Sequence, residues 1–130
     1  MDNIDEGGAR SVIVAEDDAT NRWVLCRMLT KMGYDIKRAV DGEQAVAAAL
    51  REDARIVFMD LNMPGLSGYE AAGRIKATPG LHGVRVVAVT GDVTERARRD
   101  CETAGFDGFL AKPVRKTELQ AELDRALAAG

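Results

Sequence analysis

The sequence predicts an α/β domain with a doubly wound, parallel sheet of five strands, and three observations lead to this fold class. Strand-like and helix-like patterns alternate five times along the chain, which indicates parallel strands joined by helices. The runs 12–15, 56–59 and 86–89 are continuously apolar, as central strands covered on both faces are. The segment 34–38 instead alternates with more polar residues, so the second strand is predicted to lie at an edge. These features fit the flavodoxin-like strand order 2-1-3-4-5.

The first three helices are identified by their apolar faces and caps. The first helix is predicted to end at Gly33 and to bury one face, made of Val24, Leu25, Met28, Leu29 and Met32. Asp41 and Ser67 are predicted to be the N-caps of the second and third helices. Ser67 and Glu70 have the spacing of a capping box.

The last two helices differ in how firmly they are expected to be anchored. The fifth helix carries an apolar stripe of Leu119, Leu123 and Leu127. The fourth helix, from about 94 to 104, is mostly charged and can bury only Ala97, Cys101 and Ala104. We therefore predict that the fourth helix moves most easily.

The length and charge of the chain restrict its class. With 130 residues it is predicted to form one domain, residues 11–130, after a flexible leader of residues 1–10. The leader lacks the features of a secretory signal, and no apolar stretch reaches the roughly 20 residues of a membrane span, so we expect a cytoplasmic protein. A net charge of −3 argues against direct binding of nucleic acid. Cys26 and Cys101 are expected to be free thiols.

Four of the predicted strands end at reactive polar residues. The first ends at Glu16 and Asp17, the third at Asp60, the fourth at Thr90 and the fifth at Lys112. The carboxyl ends of parallel strands share one edge of a sheet, where ligands bind. Carboxylates about 5 Å apart repel each other by roughly 3 kcal/mol at an effective dielectric of 20, so three acids need a counter-charge. Oxygen ligands without a nearby His or Cys favour Mg²⁺. A carboxylate between this ion and an ammonium can attack phosphorus, because both cations neutralise a transferring phosphoryl group.

Four motifs stand at these strand ends. They are Ala-Glu-Asp-Asp at 15–18, Met-Asp-Leu-Asn-Met-Pro-Gly-Leu-Ser-Gly at 59–68, Val-Thr-Gly at 89–91 and Phe-Leu-Ala-Lys-Pro at 109–113. In this order and spacing the chain resembles the response-regulator receiver domain of two-component and phosphorelay signalling. The resemblance extends from about Ser11 to Leu127. It implies a signalling phosphoacceptor rather than an enzyme, with only self-phosphotransfer and autodephosphorylation expected.

The resemblance also implies a chemical role for each site residue. Asp60 would accept a phosphoryl group from a phosphohistidine on a histidine kinase or a histidine phosphotransfer protein. Asp17 and Asp60 would bind Mg²⁺ directly, Glu16 through a water molecule, and Asn62 through its backbone carbonyl. Glu16 is one methylene longer than the aspartate that is common in the family.

The phosphoryl oxygens would be bound on the other side of the crevice. The resemblance assigns this role to Lys112, to the Thr90 hydroxyl, and to the backbone amides of Leu61 and Gly91. The peptide between Lys112 and Pro113 resembles the family's cis peptide, which X-Pro bonds tolerate at small cost.

Two residues, Phe109 and Trp23, are also predicted to take part in contacts with other proteins. Thr90 and Phe109 resemble the family's switch pair, which reshapes the face of helix 4, strand 5 and helix 5 that controls a downstream protein. Trp23 lies on the outer side of the first helix with Arg27 and Thr30, and it is either a partner anchor or a ring that lies over neighbouring side chains.

Two other functions fit the sequence less well. A phosphatase of the haloacid-dehalogenase type needs a second aspartate two positions after the first, where this chain has Asn62. A flavin mononucleotide carrier needs a loop after strand 1 that attracts phosphate, whereas this loop is acidic. A receiver-like module that binds without phosphorylation and a phosphate sink in a phosphorelay remain as alternatives.

Overall fold

The computed structural model describes residues 11–81 and 83–128, so the predicted leader, residues 1–10, and the last two residues of the predicted domain lie outside the described residues. Five strands alternate with five helices in this part of the chain. The strands are β1 Ser11–Ala15, β2 Asp35–Ala39, β3 Ile56–Asp60, β4 Arg85–Thr90 and β5 Gly108–Ala111. The helices are α1 Ala19–Lys31, α2 Gly42–Arg51, α3 Gly68–Ala77, α4 Glu95–Ala104 and α5 Lys116–Ala128.

The sheet confirms the predicted fold class and strand order. All neighbouring strands are parallel, and their order is β2-β1-β3-β4-β5. Every residue of β1 and β3 is buried, as their continuous apolar runs predicted. The edge strand β2 leaves Asp35 and Arg38 exposed.

The two faces of the sheet are covered by different helices. Alternate residues of β1 face opposite sides, so Ile13 packs under α2, α3 and α4, whereas Val14 packs under α1 and α5. This arrangement leaves the two ends of the sheet open to solvent and to ligands. It is the doubly wound architecture that the sequence predicts.

The helix caps are as predicted. The side chain of Asp41 accepts a hydrogen bond from the backbone of Gln44 at the start of α2. Ser67 and Glu70 form the reciprocal bonds of a capping box at the start of α3. After α1, the chain turns at Gly33, whose φ of 93° favours glycine.

Two predicted core residues are instead at the surface. Val24 is 46% exposed and Leu127 is 38% exposed. The buried face of α1 is narrower than predicted, because this edge of the helix borders an open groove. In α5, the buried face is centred on Leu119 and includes Glu122, Leu123 and Ala126, whereas Leu127 lies about 80° to one side of Leu119 at 100° per residue. Glu122 joins the buried face because its carboxylate bonds Arg85 of β4 at 2.7 Å.

The predicted buried residues of α4 and the predicted free cysteines agree with the structure. Ala97 and Cys101 are the buried residues of α4, and Ala104 is half-buried. Both cysteines are buried free thiols. Burial raises the pKa of each thiol. Within residues 11–81 and 83–128, no helix has the length and apolar character to cross a bilayer.

Candidate phosphoacceptor site

The strand ends bring three carboxylates together at one edge of the sheet. Glu16 and Asp17 follow β1, and Asp60 is the last residue of the adjacent strand β3. An oxygen atom from each lies within 4.8 Å of the others. Glu16 and Asp60 are buried, whereas Asp17 is exposed at the mouth of the crevice. This arrangement is the one expected when parallel strands end in acids.

Lys112 enters this cluster from the end of β5. Its Nζ lies 3.0 Å from Glu16 Oε1 and 3.8 Å from Asp60 Oδ1. The peptide between Lys112 and Pro113 is cis. Burial raises the pKa of Glu16 above its ordinary value of 4.5, the hydrogen bond from Lys112 opposes the rise, and the charge of Asp60 adds to it. The ammonium therefore offsets part of the repulsion between two buried acids.

The loop after β3 holds Asp60 from the backbone side. The Asn62 amide donates to Asp60 Oδ1 at 3.3 Å, and the Gly68 amide donates to the Leu61 carbonyl at 3.1 Å. A Cβ atom at Gly68 would overlap the Asp60 carbonyl oxygen and lie 2.9 Å from Leu61 Cα. Leu61 is buried beneath the loop, and Asn62 lies exposed at its rim. Glycine is therefore required for the start of α3 to pack against the loop.

Thr90 lies on the opposite wall, buried at the end of β4. Its hydroxyl accepts a hydrogen bond from the Asp92 amide at 3.0 Å, which leaves the hydroxyl proton for donation. The Asp92 carboxylate accepts from the Thr94 amide at 3.1 Å and from its hydroxyl at 2.8 Å, and these bonds lower the pKa of Asp92. A Cβ atom at Gly91 would meet no heavy atom within 4 Å in the described residues, so this side is open.

The two predicted signalling residues lie outside the acidic cluster. Phe109 is half-buried in β5, and the guanidinium of Arg98 lies 4.4 Å from the centre of its ring. Trp23 is 62% exposed, as predicted, and the guanidinium of Arg27 lies 5.4 Å from its ring. The sequence indicated only that the fourth helix is mostly charged, and it did not predict the contact of Arg98, because helical periodicity does not reveal which strand residue a helix face meets.

A groove beside the site was also missed. It has a volume of about 220 Å³, and it runs along α1 to the end of β5. Its lining is mostly apolar, and the residues are Glu16, Asn21, Val24, Leu25, Met28, Val89, Lys112, Pro113 and Val114. Glu16 and Lys112 line both the groove and the acidic cluster, so a molecule in the groove would adjoin Asp60. The apolar Val24 was the available signal, but we interpreted it as core.

The donor atoms of the cluster fit a hard divalent cation. Among the described residues, the three carboxylates have one ion-pair partner, the ammonium of Lys112, whereas the guanidinium of Arg22 binds the backbone carbonyls of Glu16 and Asp17. The cluster supplies only oxygen ligands, which suits Mg²⁺, an ion that retains several water molecules. The exposed position of Asp17 gives such an ion access from solvent.

The known proteins to which this chain is similar contain receiver domains. The model of the response regulator receiver domain matches residues 12–124. The chain is 39% identical over 110 residues to the sensory/regulatory protein RpfC of Xanthomonas campestris pv. campestris (strain 8004), covering 83% of this chain and 15% of that protein. It is 35% identical over 119 residues to hybrid signal transduction histidine kinase H of Dictyostelium discoideum, covering 88% of this chain and 9% of that protein. The chain thus spans a small part of these relatives.

Two solved structures are similar to this chain. The receiver domain of sensor histidine kinase PA1611 from Pseudomonas aeruginosa PAO1, which holds a magnesium ion in its active-site cleft, has a TM-score of 0.85 at 34% identity and covers 92% of this chain and 98% of its own. The second is the co-crystal structure of the Saccharomyces cerevisiae histidine phosphotransfer protein Ypd1 with the receiver domain of the response regulator Ssk1. It has a TM-score of 0.83 at 27% sequence identity and covers 91% of this chain and 88% of its own. Because the family match extends over most of the chain, this protein belongs to the response regulator receiver domain family of two-component phosphorelay signalling.

Proposed function

We propose that this protein is a Mg²⁺-dependent phosphoacceptor that receives a phosphoryl group on Asp60 from a phosphohistidine. An oxygen of the Asp60 carboxylate forms the new bond to phosphorus, the bond from phosphorus to the imidazole nitrogen breaks, and that nitrogen retains the electron pair and takes up a proton. The observation that carries the proposal is the buried Asp60 carboxylate, which has Lys112 Nζ 3.8 Å away and an oxygen of Glu16 and of Asp17 within 4.8 Å.

The proposed metal ligands are Asp17 and Asp60 directly, Glu16 through water, and the backbone carbonyl of Asn62. When bound, Mg²⁺ would neutralise negative charge on the carboxylates and on the transferring group. The length and burial of Glu16 support the indirect role, because its carboxylate is already held by Lys112 at 3.0 Å.

The proposed phosphoryl-binding groups are Lys112, the Thr90 hydroxyl and the amides of Leu61 and Gly91. The ammonium would provide a charge-assisted hydrogen bond, which is about twice as strong as a neutral one. The free proton of the Thr90 hydroxyl and the open space at Gly91 support their roles. Autodephosphorylation of Asp60 would return the protein to its starting state.

We infer that Thr90 and Phe109 convert phosphorylation into a change of the face formed by α4, β5 and α5. The weak anchoring of α4, which buries only Ala97 and Cys101, supports this role, because a small free-energy gap lets a local charge event shift an element. This face would control a downstream protein.

The phosphoryl donor is proposed to be a histidine kinase or a histidine phosphotransfer protein. The similarity to a receiver domain crystallised with a histidine phosphotransfer protein supports this choice. The apolar groove that borders the acidic cluster, and the exposed ring of Trp23 on the same helix, offer a contact surface for it.

The test is the intact mass of the protein after incubation with acetyl phosphate. We expect one added phosphoryl group on the wild type with Mg²⁺ and none without it. Asp60→Asn should stay unlabelled, whereas Asp35→Asn, which alters an exposed acid of the edge strand, should be labelled like the wild type. No adduct under conditions that label a known receiver domain would favour a module that binds without phosphorylation. Rapid transfer back to a phosphohistidine donor, with no bound downstream protein, would favour a phosphate sink.

A further inference from the structure

The ring of Phe109 has a cationic partner on the neighbouring helix. Arg98 of α4 places its guanidinium 4.4 Å from the centre of the ring, within the range of a cation–π interaction. Two other arginines of α4, Arg96 and Arg99, each face an acid one turn away on the same helix. Arg98 forms no ion pair within the described residues. Its partner in the structure is the ring.

The ring and Thr90 lie on the same face of the sheet. Phe109 pairs in register with Ala88 of β4, and Thr90 is two residues further along that strand. Side chains two residues apart on a strand share a face. Ala88 is fully buried and carries only a methyl group, so no large side chain of β4 separates the ring from Thr90.

The contact between Arg98 and Phe109 also joins two elements that are otherwise weakly connected. Only Ala97 and Cys101 anchor α4 in the core. A cation–π contact at an exposed site changes an equilibrium constant by a factor of about two to five. A ring that turns towards Thr90 loses this contact. Arg98 therefore favours the present position of the ring over the inward one.

We propose that Arg98 is a positioning residue that holds Phe109 in its half-buried position beside α4 and thereby raises the threshold for the phosphorylation switch. This inference rests on the proposed function, in which Thr90 and Phe109 transmit phosphorylation. It adds a residue of α4 that sets how much of the protein is in the switched state before phosphorylation.

The test uses beryllofluoride with Mg²⁺ as a phosphoryl analogue and ¹⁹F NMR of protein labelled with 4-fluorophenylalanine. The chain has three phenylalanines, so Phe109→Leu assigns the resonance by its loss. In Arg98→Gln we expect half-saturation at a two- to fivefold lower beryllofluoride concentration. Without beryllofluoride, the Phe109 resonance should already be displaced towards its position in the saturated wild type. Arg98→Lys should be intermediate, and Arg96→Gln, which removes the same charge from the same helix, should match the wild type.

The outcomes separate this inference from the proposed function. A wild type that binds beryllofluoride, together with Arg98→Gln and Arg96→Gln variants that behave alike, would overturn the role of Arg98 and leave the proposed function intact. A wild type that does not bind beryllofluoride would overturn both. Arg98 is exposed, so its variants should fold. If Arg98→Gln does not fold, the intermediate half-saturation concentration of Arg98→Lys provides a second measure.

Discussion

Replacing Lys112 with methionine is expected to strengthen Mg²⁺ binding and weaken phosphoryl binding. The ammonium lies 3.0 Å from Glu16 and 3.8 Å from Asp60, and both carboxylates are buried. Attraction between opposite charges at such distances is worth about 1 kcal/mol in water and about 4 kcal/mol at an effective dielectric of 20. A divalent cation at the same carboxylates must offset this attraction. With the value for water, the ammonium's attraction to the two carboxylates sums to about 2 kcal/mol, so its removal corresponds to Mg²⁺ binding that is about thirtyfold tighter.

The effect on a phosphoryl analogue has the opposite sign. Loss of a hydrogen bond to a charged group costs about 1.5–3 kcal/mol, so beryllofluoride should bind Lys112→Met roughly ten- to a hundredfold more weakly at saturating Mg²⁺. Isothermal titration calorimetry measures both affinities on the same preparation. Lys116→Met is the matched control, because Lys116 is exposed at the start of α5 and forms no ion pair among the residues described. A Lys112→Met variant that bound Mg²⁺ more weakly than the wild type would refute the idea that the ammonium and the ion share these carboxylates.

Three further predictions concern stability. Arg85→Ala should lower the free energy of unfolding by about 1.5–3 kcal/mol, because it removes the 2.7 Å bond to the buried Glu122 carboxylate and leaves that carboxylate with Arg125 at 2.9 Å; a loss below about 1 kcal/mol in urea unfolding would contradict this. Gly68→Ala should destabilise the protein and slow labelling of the acceptor, because its Cβ would overlap the loop backbone. In the same helix, a Cβ atom at Gly73 would meet only the Ala104 carbonyl oxygen, at an ordinary 3.9 Å, so Gly73→Ala should stabilise by up to about 1 kcal/mol, and equal effects of the two variants would exclude the steric cause. Burial raises the pKa of Glu16 above 4.5, so folding favours its protonated form. Without Mg²⁺, the free energy of unfolding should therefore fall as pH rises above 4.5, and Glu16→Gln should remove that part of the decline.

The fold could be predicted from the sequence because its strongest signals are local. A continuous apolar run such as 56–59 suits a strand covered on both faces, and the caps Asp41 and Ser67 mark where the next helices begin. The cluster of acids followed from the same signals, because the reactive residues come directly after the strands. Parallel topology then brings residues as distant in sequence as Glu16 and Lys112 to within 3.0 Å.

The predictions failed where burial depends on a partner far away in the sequence. Helical periodicity indicated that Val24 faces inward, but it does not determine where the sheet ends beneath the helix. A charged residue such as Glu122 is expected on the solvent-facing side of α5. It is buried because Arg85, 37 positions away, supplies a charge-assisted hydrogen bond. The contact of Arg98 with Phe109 depends in the same way on how α4 packs against β5.

Under the proposed function, contacts at the opposite end of the sheet would confine the change on phosphorylation to α4 and the end of β5. Asp107, just before β5, bonds Lys76 of α3 at 2.6 Å and the Val86 amide of β4 at 2.8 Å. Arg85 donates to the Asp107 carbonyl at 3.1 Å and to Glu122 of α5 at 2.7 Å. These bonds fix the start of β5 to two helices and to β4. Lys112 follows β5 directly, and α4 is held by two small buried side chains, so we expect phosphorylation of Asp60 to move these two parts most.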